Sequence, residues 1–455
     1  MYVRDTIAAI STPVGEGGIG IVRISGDDAV RIGSVIFKPK KNGGFPSHRF
    51  CYGAVTNLDG GLVDEGFAVL MKAPRSYTKE DVFEIHCHGG ILVTKKVLEL
   101  TLASGARLAA PGEFTKRAFL NGRIDLLQAE AVMDVIRSKT DSALSLAEHQ
   151  REGLLSNRLF EVRDSIKHVL AMVEAYIDFP EEDIDLPVMD EITSSVGSAK
   201  DRLSALLATF REGKVIRDGV SVAIAGKPNV GKSSLLNALL QEDRAIVTEI
   251  PGTTRDVIEE VINIQGLPVR LLDTAGIRET TDFVEQLGID LAMDRISRAD
   301  LVLFMLDSSR PIDLDDLRIH QALSSRKLLL VRNKSDLPDA LDLPELFHQY
   351  PSVIISTISG EGLEQLRTSI HDCFISGKVV DSREFVAISQ ERHFVALSKS
   401  LAALINAGVV LGSSVQLEML SVDLREALAA IGEVTGETTA DDVLDLIFSR
   451  FCIGK

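Results

Sequence analysis

Three textures of apolar residues divide this chain. Val220-Ser221-Val222-Ala223-Ile224-Ala225, Val269-Arg270-Leu271-Leu272 and Leu328-Leu329-Leu330-Val331 are nearly continuous apolar runs. Such runs belong to strands covered on both faces, as in a mainly parallel sheet. Residues 1–118 read differently. Short β-rich runs (Gly20-Ile21-Val22-Arg23-Ile24, Phe67-Ala68-Val69-Leu70) alternate with glycine-rich turns, and a helical stretch, Leu92–Ser104, interrupts them. This predicts a compact α+β domain. From about Leu126 the period becomes helical. Leu155, Leu159, Val162, Ile166, Val169 and Val173 recur at alternating steps of four and three, a sustained apolar seam. The acidic Pro180-Glu181-Glu182-Asp183-Ile184-Asp185 breaks it, and a further helix runs to about Arg211. The helical period returns with Phe394, Leu397, Leu401 and Leu404, then Leu417, Leu420, Leu424, Leu428 and Ile431.

Neither helical set can bury its seam alone. Together they predict one helical bundle built from both sides of a central inserted domain, with two separate helical hairpins as the alternative. The expected organisation is an α+β domain over 1–118, helical parts over 119–215 and 379–455, and an α/β domain over 216–378. A domain whose two ends enter one bundle can transmit a rearrangement to it.

Composition narrows the class. The 455 residues are 45% hydrophobic and 25% charged, as in a globular protein. No stretch of about eighteen continuous apolar residues is present and the N-terminus has no basic-then-apolar leader, so no membrane association is expected. Cys51, Cys87, Cys373 and Cys452 are far apart, which argues against a disulfide frame or zinc site and for the cytoplasm. The net charge is −17, yet residues 1–118 hold 15 Lys/Arg against 12 Asp/Glu. A polyanion would meet that domain rather than the acidic remainder.

The central domain carries legible chemistry. Gly226-Lys227-Pro228-Asn229-Val230-Gly231-Lys232-Ser233 follows the first buried run and precedes the helix start at Ser234. In this pattern glycines let backbone N–H groups close on phosphate oxygens, Lys232 places a cation on the β/γ phosphates, and Ser233 offers a hydroxyl to Mg²⁺. Asp273-Thr274-Ala275-Gly276 ends the second run. Its Asp can hold Mg²⁺ through water and its Gly leaves an N–H for the γ-phosphate. Asn333-Lys334-Ser335-Asp336 ends the third. The Asp336 carboxylate suits guanine N1–H and its 2-amino group, both absent from adenine, so the nucleotide is GTP. Pro251-Gly252-Thr253-Thr254 lies where a γ-phosphate switch belongs, with Thr254 on Mg²⁺. The domain is Ras-like, but Ile277 stands where Ras-like enzymes place a water-orienting Gln, and Arg278, Glu279, Asp282 and Glu285 are the nearby candidates for that work.

The whole length resembles a known family, the tRNA uridine-modification GTPases called MnmE or TrmE. The resemblance rests on Asp5-Thr6-Ile7-Ala8-Ala9, Gly17–Gly26, Glu80-Asp81-Val82 with His88-Gly89-Gly90, Pro111–Gly122 and the closing Phe451-Cys452-Ile453-Gly454-Lys455. It implies an N-terminal folate-binding domain that also forms a homodimer. It implies a flavoprotein partner, MnmG or GidA, which brings FAD. With it the protein would place an aminomethyl or carboxymethylaminomethyl group on C5 of the tRNA wobble uridine, using a tetrahydrofolate one-carbon unit in the 5-formyl or methylene form. The implied folate contacts are Arg23, Glu80, Arg123 and Lys455. Arg123 replaces a Lys common in the family, a planar fork for an ammonium. The family's GTPase domains pair transiently and are activated by K⁺, whose ligands fall on Asn229, Thr248, Ile250 and Thr253. The implied nucleotide contacts further include Val230, Ser234, Glu249 and Pro251, and Glu285 falls on the water-positioning position.

Two features stay open on sequence. Cys452 is either a nucleophilic thiol near the folate or a small residue packed beside Phe451 and Ile453. His86, Cys87 and His88 read as strand-end residues rather than a metal site, because alternation along a strand separates them. The competing function is a ribosome-assembly GTPase switch, a class that usually appends a basic RNA-binding module where this chain is acidic and helical. A folate scaffold with a vestigial GTPase is disfavoured by the intact Lys232, Ser233, Asp273 and Asp336.

Overall fold

The structure, a computed structural model, describes residues 5–41, 43–178, 186–243, 260–272, 297–375, 385–412 and 416–455. These form two compact units, one of residues up to 133 with those from 428 on, the other of the described residues between.

The first unit is built on a seven-stranded sheet. In chain order its strands are β1 (Ile7–Ile10), β2 (Gly17–Ser25), β3 (Phe37–Pro39), β4 (Phe50–Thr56), β5 (Leu62–Met71), β6 (Val82–Gly89) and β7 (Arg107–Leu108), arranged β3-β4-β5-β6-β2-β1-β7. All neighbours are antiparallel except β1 with β7. The alternation of strand side chains decides which face is covered. Val22, Ile24, Ala68, Leu70, Phe83 and Ile85 point to one face and form a core with Ala29, Ile32 and Ile36 of helix α1 (Ala29–Ile36) and Val97 of α2 (Ile91–Ala103). The opposite side of the alternation holds Arg23, Phe67, Glu84 and His86. Helices α3 (Glu113–Leu120) and α4 (Leu126–Arg137) follow. Leu126, Ala129 and Met133 pack with Leu444, Phe448 and Phe451, so the C-terminal segment completes this unit.

The second unit holds a six-stranded sheet of β8 (Val220–Ala225), β9 (Glu260–Ile264), β10 (Leu267–Leu272), β11 (Leu301–Asp307), β12 (Leu328–Asn333) and β13 (Ser352–Ile354), ordered β13-β12-β11-β8-β10-β9. Only the β9–β10 pair is antiparallel. The continuous apolar runs are its central strands, buried on both faces by two separate cores. The same unit holds the helices α5 (Asp141–Arg151), α6 (Leu154–Asp178), α7 (Leu186–Ala208), α8 (Phe210–Asp218), α9 (Lys232–Asp243), α10 (Leu314–Leu323), α11 (Leu363–Asp372) and α12 (Glu391–Leu411). The α6 seam from Leu155 to Val173 is buried throughout. Helix α7 packs on α6 and on α12, which lies on the far side of the sheet in sequence. By length and composition α12 is apolar enough to cross a membrane, but His393, Ala396, Leu397, Ser400, Ala403, Leu404 and Ala407 form a buried stripe along it.

The helix expected to stop near Arg211 instead continues, after a break at Thr209, as α8. Gly213 explains why a glycine sits inside it: a Cβ there would meet the Ile388 carbonyl oxygen at 2.3 Å. The chain thus enters the sheet beside the point where it leaves. Ile388 N–H donates to Thr209 Oγ1 at 3.1 Å, and Gln150 Nε2 donates to Ala387 O (3.0 Å) and Ser389 Oγ (3.2 Å). The Asp134 carboxylate accepts from Arg217 (2.9 Å) and Gln390 (3.3 Å). The β9–β10 turn closes on the same region, since a Cβ at Gly266 would lie 2.2 Å from Ser142 Oγ.

Candidate nucleotide and N-terminal sites

The phosphate loop joins β8 to α9, as its strand–turn–helix pattern predicts. Three of its residues have positive φ: Gly226 (148°), Asn229 (64°) and Gly231 (104°). Gly231 tolerates nothing larger, because a Cβ would lie 2.2 Å from Asn333 Nδ2. Asn333 ties the end of β12 to this loop. Its Nδ2 donates to Val230 O at 2.8 Å, and its Oδ1 accepts from Thr357 N–H at 3.1 Å. Lys232 Nζ donates to the carbonyls of Gly226 (2.9 Å) and Lys227 (2.7 Å), so the ammonium is folded over the loop. Burial pushes its pKa down, an environment in which a phosphate oxygen is a favourable partner. Ser233 and Ser234 stand exposed in the first turn of α9, where helix N–H groups and the helix dipole favour an anion.

The residues expected to read the base gather at the ends of β11, β12 and β13. Lys334, at φ 70°, donates from Nζ to Asp307 at 2.6 Å. Burial pushes the Asp307 carboxyl up, but hydrogen bonds from Lys334 and Ser309 outweigh it and hold the group below the usual carboxylate range. Asp336 is exposed, and one of its oxygens accepts from the buried Ser356 hydroxyl at 2.5 Å. Sequence reasoning passed over Ser356 and Thr357; the signal was a Ser-Thr pair straight after a short apolar strand. Lys227, inside the phosphate loop, pairs with Asp313 and Asp316 at 2.7 Å each.

Several expectations fall outside the described residues. These are Thr248, Glu249, Ile250, Pro251, Gly252, Thr253 and Thr254 of the switch, Asp273, Thr274, Ala275 and Gly276, and Glu285 with its neighbours Ile277, Arg278, Glu279 and Asp282.

In the N-terminal unit the four residues implied as folate contacts divide unequally. Arg23 donates from Nε to Glu84 at 2.7 Å and from Nη1 to Gly454 O at 3.3 Å. Its guanidinium lies 5.6 Å from the Tyr77 ring centre and 5.7 Å from that of Phe114. Arg123 lies over the same Tyr77 ring at 4.8 Å and donates to the Tyr77 carbonyl at 2.9 Å. Lys455 is half-buried; burial, and then the nearby Arg23 charge, push its pKa down. Its carbonyl accepts from Phe114 N–H, while Ser11 Oγ donates to Gly454 O at 3.1 Å. The closing pentapeptide is therefore tied to the start of α3, to Ser11 and to Arg23. Glu80 is engaged by other partners. It pairs with the buried Arg117 at 3.2 Å and accepts from Ser25 at 2.7 Å. Arg117 also meets Asp5 (2.5 Å) and Glu113 (3.0 Å).

Tyr77, Glu84 and Arg117 were not singled out from sequence. Glu84 also accepts from His86 at 3.2 Å; burial pushes this carboxyl up, and His86 and Arg23 pull it below its ordinary value. Cys87, the residue between the histidines, is turned to the buried face, where burial pushes its thiol up to about 11. Among the described residues no cluster of His, Cys, Asp and Glu is placed to hold a metal. Cys452 and Ile453 are exposed, whereas Phe451 is buried.

Comparison with known proteins covers the chain from end to end. A family model of the MnmE helical domain matches residues 126–452, and one of the GTP-binding protein TrmE N-terminus matches residues 6–123. The tRNA modification GTPase MnmE of Geobacter sulfurreducens is 60% identical over 100% of both chains. Its namesake in Natranaerobius thermophilus is 45% identical over 99% of this chain and 100% of its own. Among solved structures, the G domain of the T. maritima FeoB iron transporter aligns over 34% of this chain and 97% of its own, at 32% identity and a TM-score of 0.26.

Proposed function

The chain belongs to the MnmE family of tRNA-modification GTPases, and from that premise we propose how its two sites share the work. It hydrolyses GTP in the course of modifying tRNA. GTP lies along Asn229, Val230, Gly231, Lys232, Ser233 and Ser234, with Asn333, Lys334 and Asp336 on guanine. Lys232 moves from the loop carbonyls to the β/γ phosphates. Ser233 and Thr254 are the residues to hold Mg²⁺, and Asn229, Thr248, Ile250 and Thr253 those to hold K⁺. When bound, these cations supply positive charge against the charge that develops on the phosphates. Glu285 orients the attacking water, with Asp273–Gly276 and Thr248–Thr254 sensing the γ-phosphate.

The N-terminal site receives a tetrahydrofolate, in the 5-formyl or methylene form. The observation that carries this reading is the convergence of Arg23, Arg123 and Lys455 around Tyr77 and the closing tail. Three cations held near one another favour a ligand with carboxylates. Glu80 is already engaged by Arg117 and Ser25, so a pterin donor shares its carboxylate with them. Cys452, an exposed thiol on the same tail, is available to attack a carbon centre.

The partner is the flavoprotein MnmG/GidA, which brings FAD, and the product is a 5-aminomethyl or 5-carboxymethylaminomethyl group on the wobble uridine. Residues 1–118 form the homodimer, the GTPase domains (216–378) pair transiently, the helical parts 119–215 and 379–455 link the two sites, and the protein works in the cytoplasm. A ribosome-assembly switch finds no matching appendage: the residues after the GTPase sheet are helices that pack on α7 and on the N-terminal unit's own helices. Mass spectrometry of wobble nucleosides from a strain lacking the gene tests the reading, with loss of the C5 group expected and an unchanged nucleoside profile overturning it. GTP turnover measured in K⁺ and in Na⁺ tests the cation site, since equal rates contradict it.

A further inference from the structure

Among the described residues, Tyr77 is the one side chain that both guanidinium groups of the proposed folate site touch. Its ring centre lies 5.6 Å from Arg23 and 4.8 Å from Arg123. Its carbonyl accepts from Arg123 at 2.9 Å, and its hydroxyl is bonded at 2.9 Å to the fully buried Thr115 of α3. The ring is thus anchored at its far end and half-buried along its faces. Arg23 has further holds, on Glu84 and on the Gly454 carbonyl. Arg123 is exposed, and among the described residues its guanidinium meets Tyr77 twice, at the ring and at the carbonyl.

Two like charges gathered in one place repel, and an exposed arginine gains more from water than from such company. An aromatic face offsets that repulsion, because its negative quadrupole attracts each cation and the flat guanidinium stacks well on it. We propose that Tyr77 is the positioning residue that gathers Arg23 and Arg123 into one anion-receiving pair for the acidic end of the folate. This rests on the folate reading above. The residue acts through the two arginines: without the ring Arg123 keeps only its bond to the residue-77 carbonyl, so its head swings more freely and the ligand is met chiefly by Arg23 and Lys455.

The test titrates the full-length protein with 5-formyltetrahydrofolate by calorimetry. Tyr77→Phe keeps the ring and is expected to bind within about twofold of the unaltered chain. Tyr77→Met keeps bulk without a π face and is expected to bind about tenfold more weakly, the scale of two cation–π contacts. Made on an Arg123→Ala background, Tyr77→Met should cost clearly less, since part of its action has already been removed. Thermal melting confirms that each variant folds, and Tyr77→Leu replaces Tyr77→Met if the latter does not. Undiminished binding by the Met or Leu variant overturns the inference, as does an equal loss with and without Arg123. If the unaltered chain itself does not bind the folate, the folate reading falls and the inference with it; that outcome is distinct, because it appears before any substitution is made.

Discussion

Asp336 and Gly231 show two kinds of necessity in one site. Asp336 is needed for its chemistry. One carboxylate oxygen is fixed by Ser356, and the group is exposed, where the proposed guanine would donate to it. Changing Asp336 to Asn leaves an amide donor opposing guanine N1–H. GTP affinity should fall by about a hundredfold, the scale of two hydrogen bonds to a charged group, while xanthosine triphosphate, with an oxygen at C2, should gain. Competition binding with both nucleotides checks this, and unchanged GTP affinity would place the base elsewhere. Gly231 is needed for its emptiness, with Asn333 Nδ2 where a Cβ would be. That kind of constraint is legible in a sequence, since only glycine satisfies it. Ser356 was harder to read: the Ser-Thr pair after a short strand marks a polar strand end, but its partner lies 20 residues away. Tyr77 was hidden for the same reason. Its role arises only where β2, the loop before β6 and the turn after α3 meet.

At the scale of elements, the closing pentapeptide is fastened to the N-terminal unit at the start of α3 and beside β1. Gly454 has φ 91°, and a Cβ there would lie 2.3 Å from Ile10 O. Gly454→Ala should displace the tail, free Arg23 from the Gly454 carbonyl and cost about 1–3 kcal/mol of stability. Denaturant unfolding together with folate titration checks both effects, and wild-type behaviour in each contradicts the account. The start of the unit is held by charge instead. Arg107 and then Arg117 hold Asp5 below the usual carboxylate range; for Glu113, burial pushes the pKa up but Arg107, the Ala110 N–H and Arg117 bring it below its ordinary value. Both pKa values are depressed on folding, so their stabilisation is full above the unfolded values, near about pH 4, and is lost as pH falls through the folded ones. Melting of the unit should be flat from neutral pH to about 5 and fall steeply below about 4. A melt unchanged down to about pH 3 would show that the network contributes nothing. Element type was legible wherever a period ran long, as in α6 and the central strands. Helix α8 was missed because its inward glycine is justified only by Ile388, a contact far along the chain.

Across the whole molecule, the pairing of helices from before and after the sheet followed from exposed seams that needed cover, and α7 against α12 is where that cover forms. What no seam could reveal is how the crossing is fastened. Thr209, Gln150 and Asp134 bind the backbone and side chains of residues 387–390 next to α8. The roughly 170 residues between form a loop with a pinned mouth, and closing such a loop from a disordered chain costs on the order of 4–5 kcal/mol in entropy. A sheet that has already folded presents its two ends side by side and removes most of that cost. The lower entropic cost favours one order of assembly: the nucleotide-binding sheet first, then α12 onto α7. Nucleotide that stabilises the sheet should slow amide exchange in α12 as well as in β8, and exchange confined to the sheet would refute the order. In the cell, the helices that follow the GTPase sheet would then stay uncovered, and exposed to proteases, until that sheet had folded.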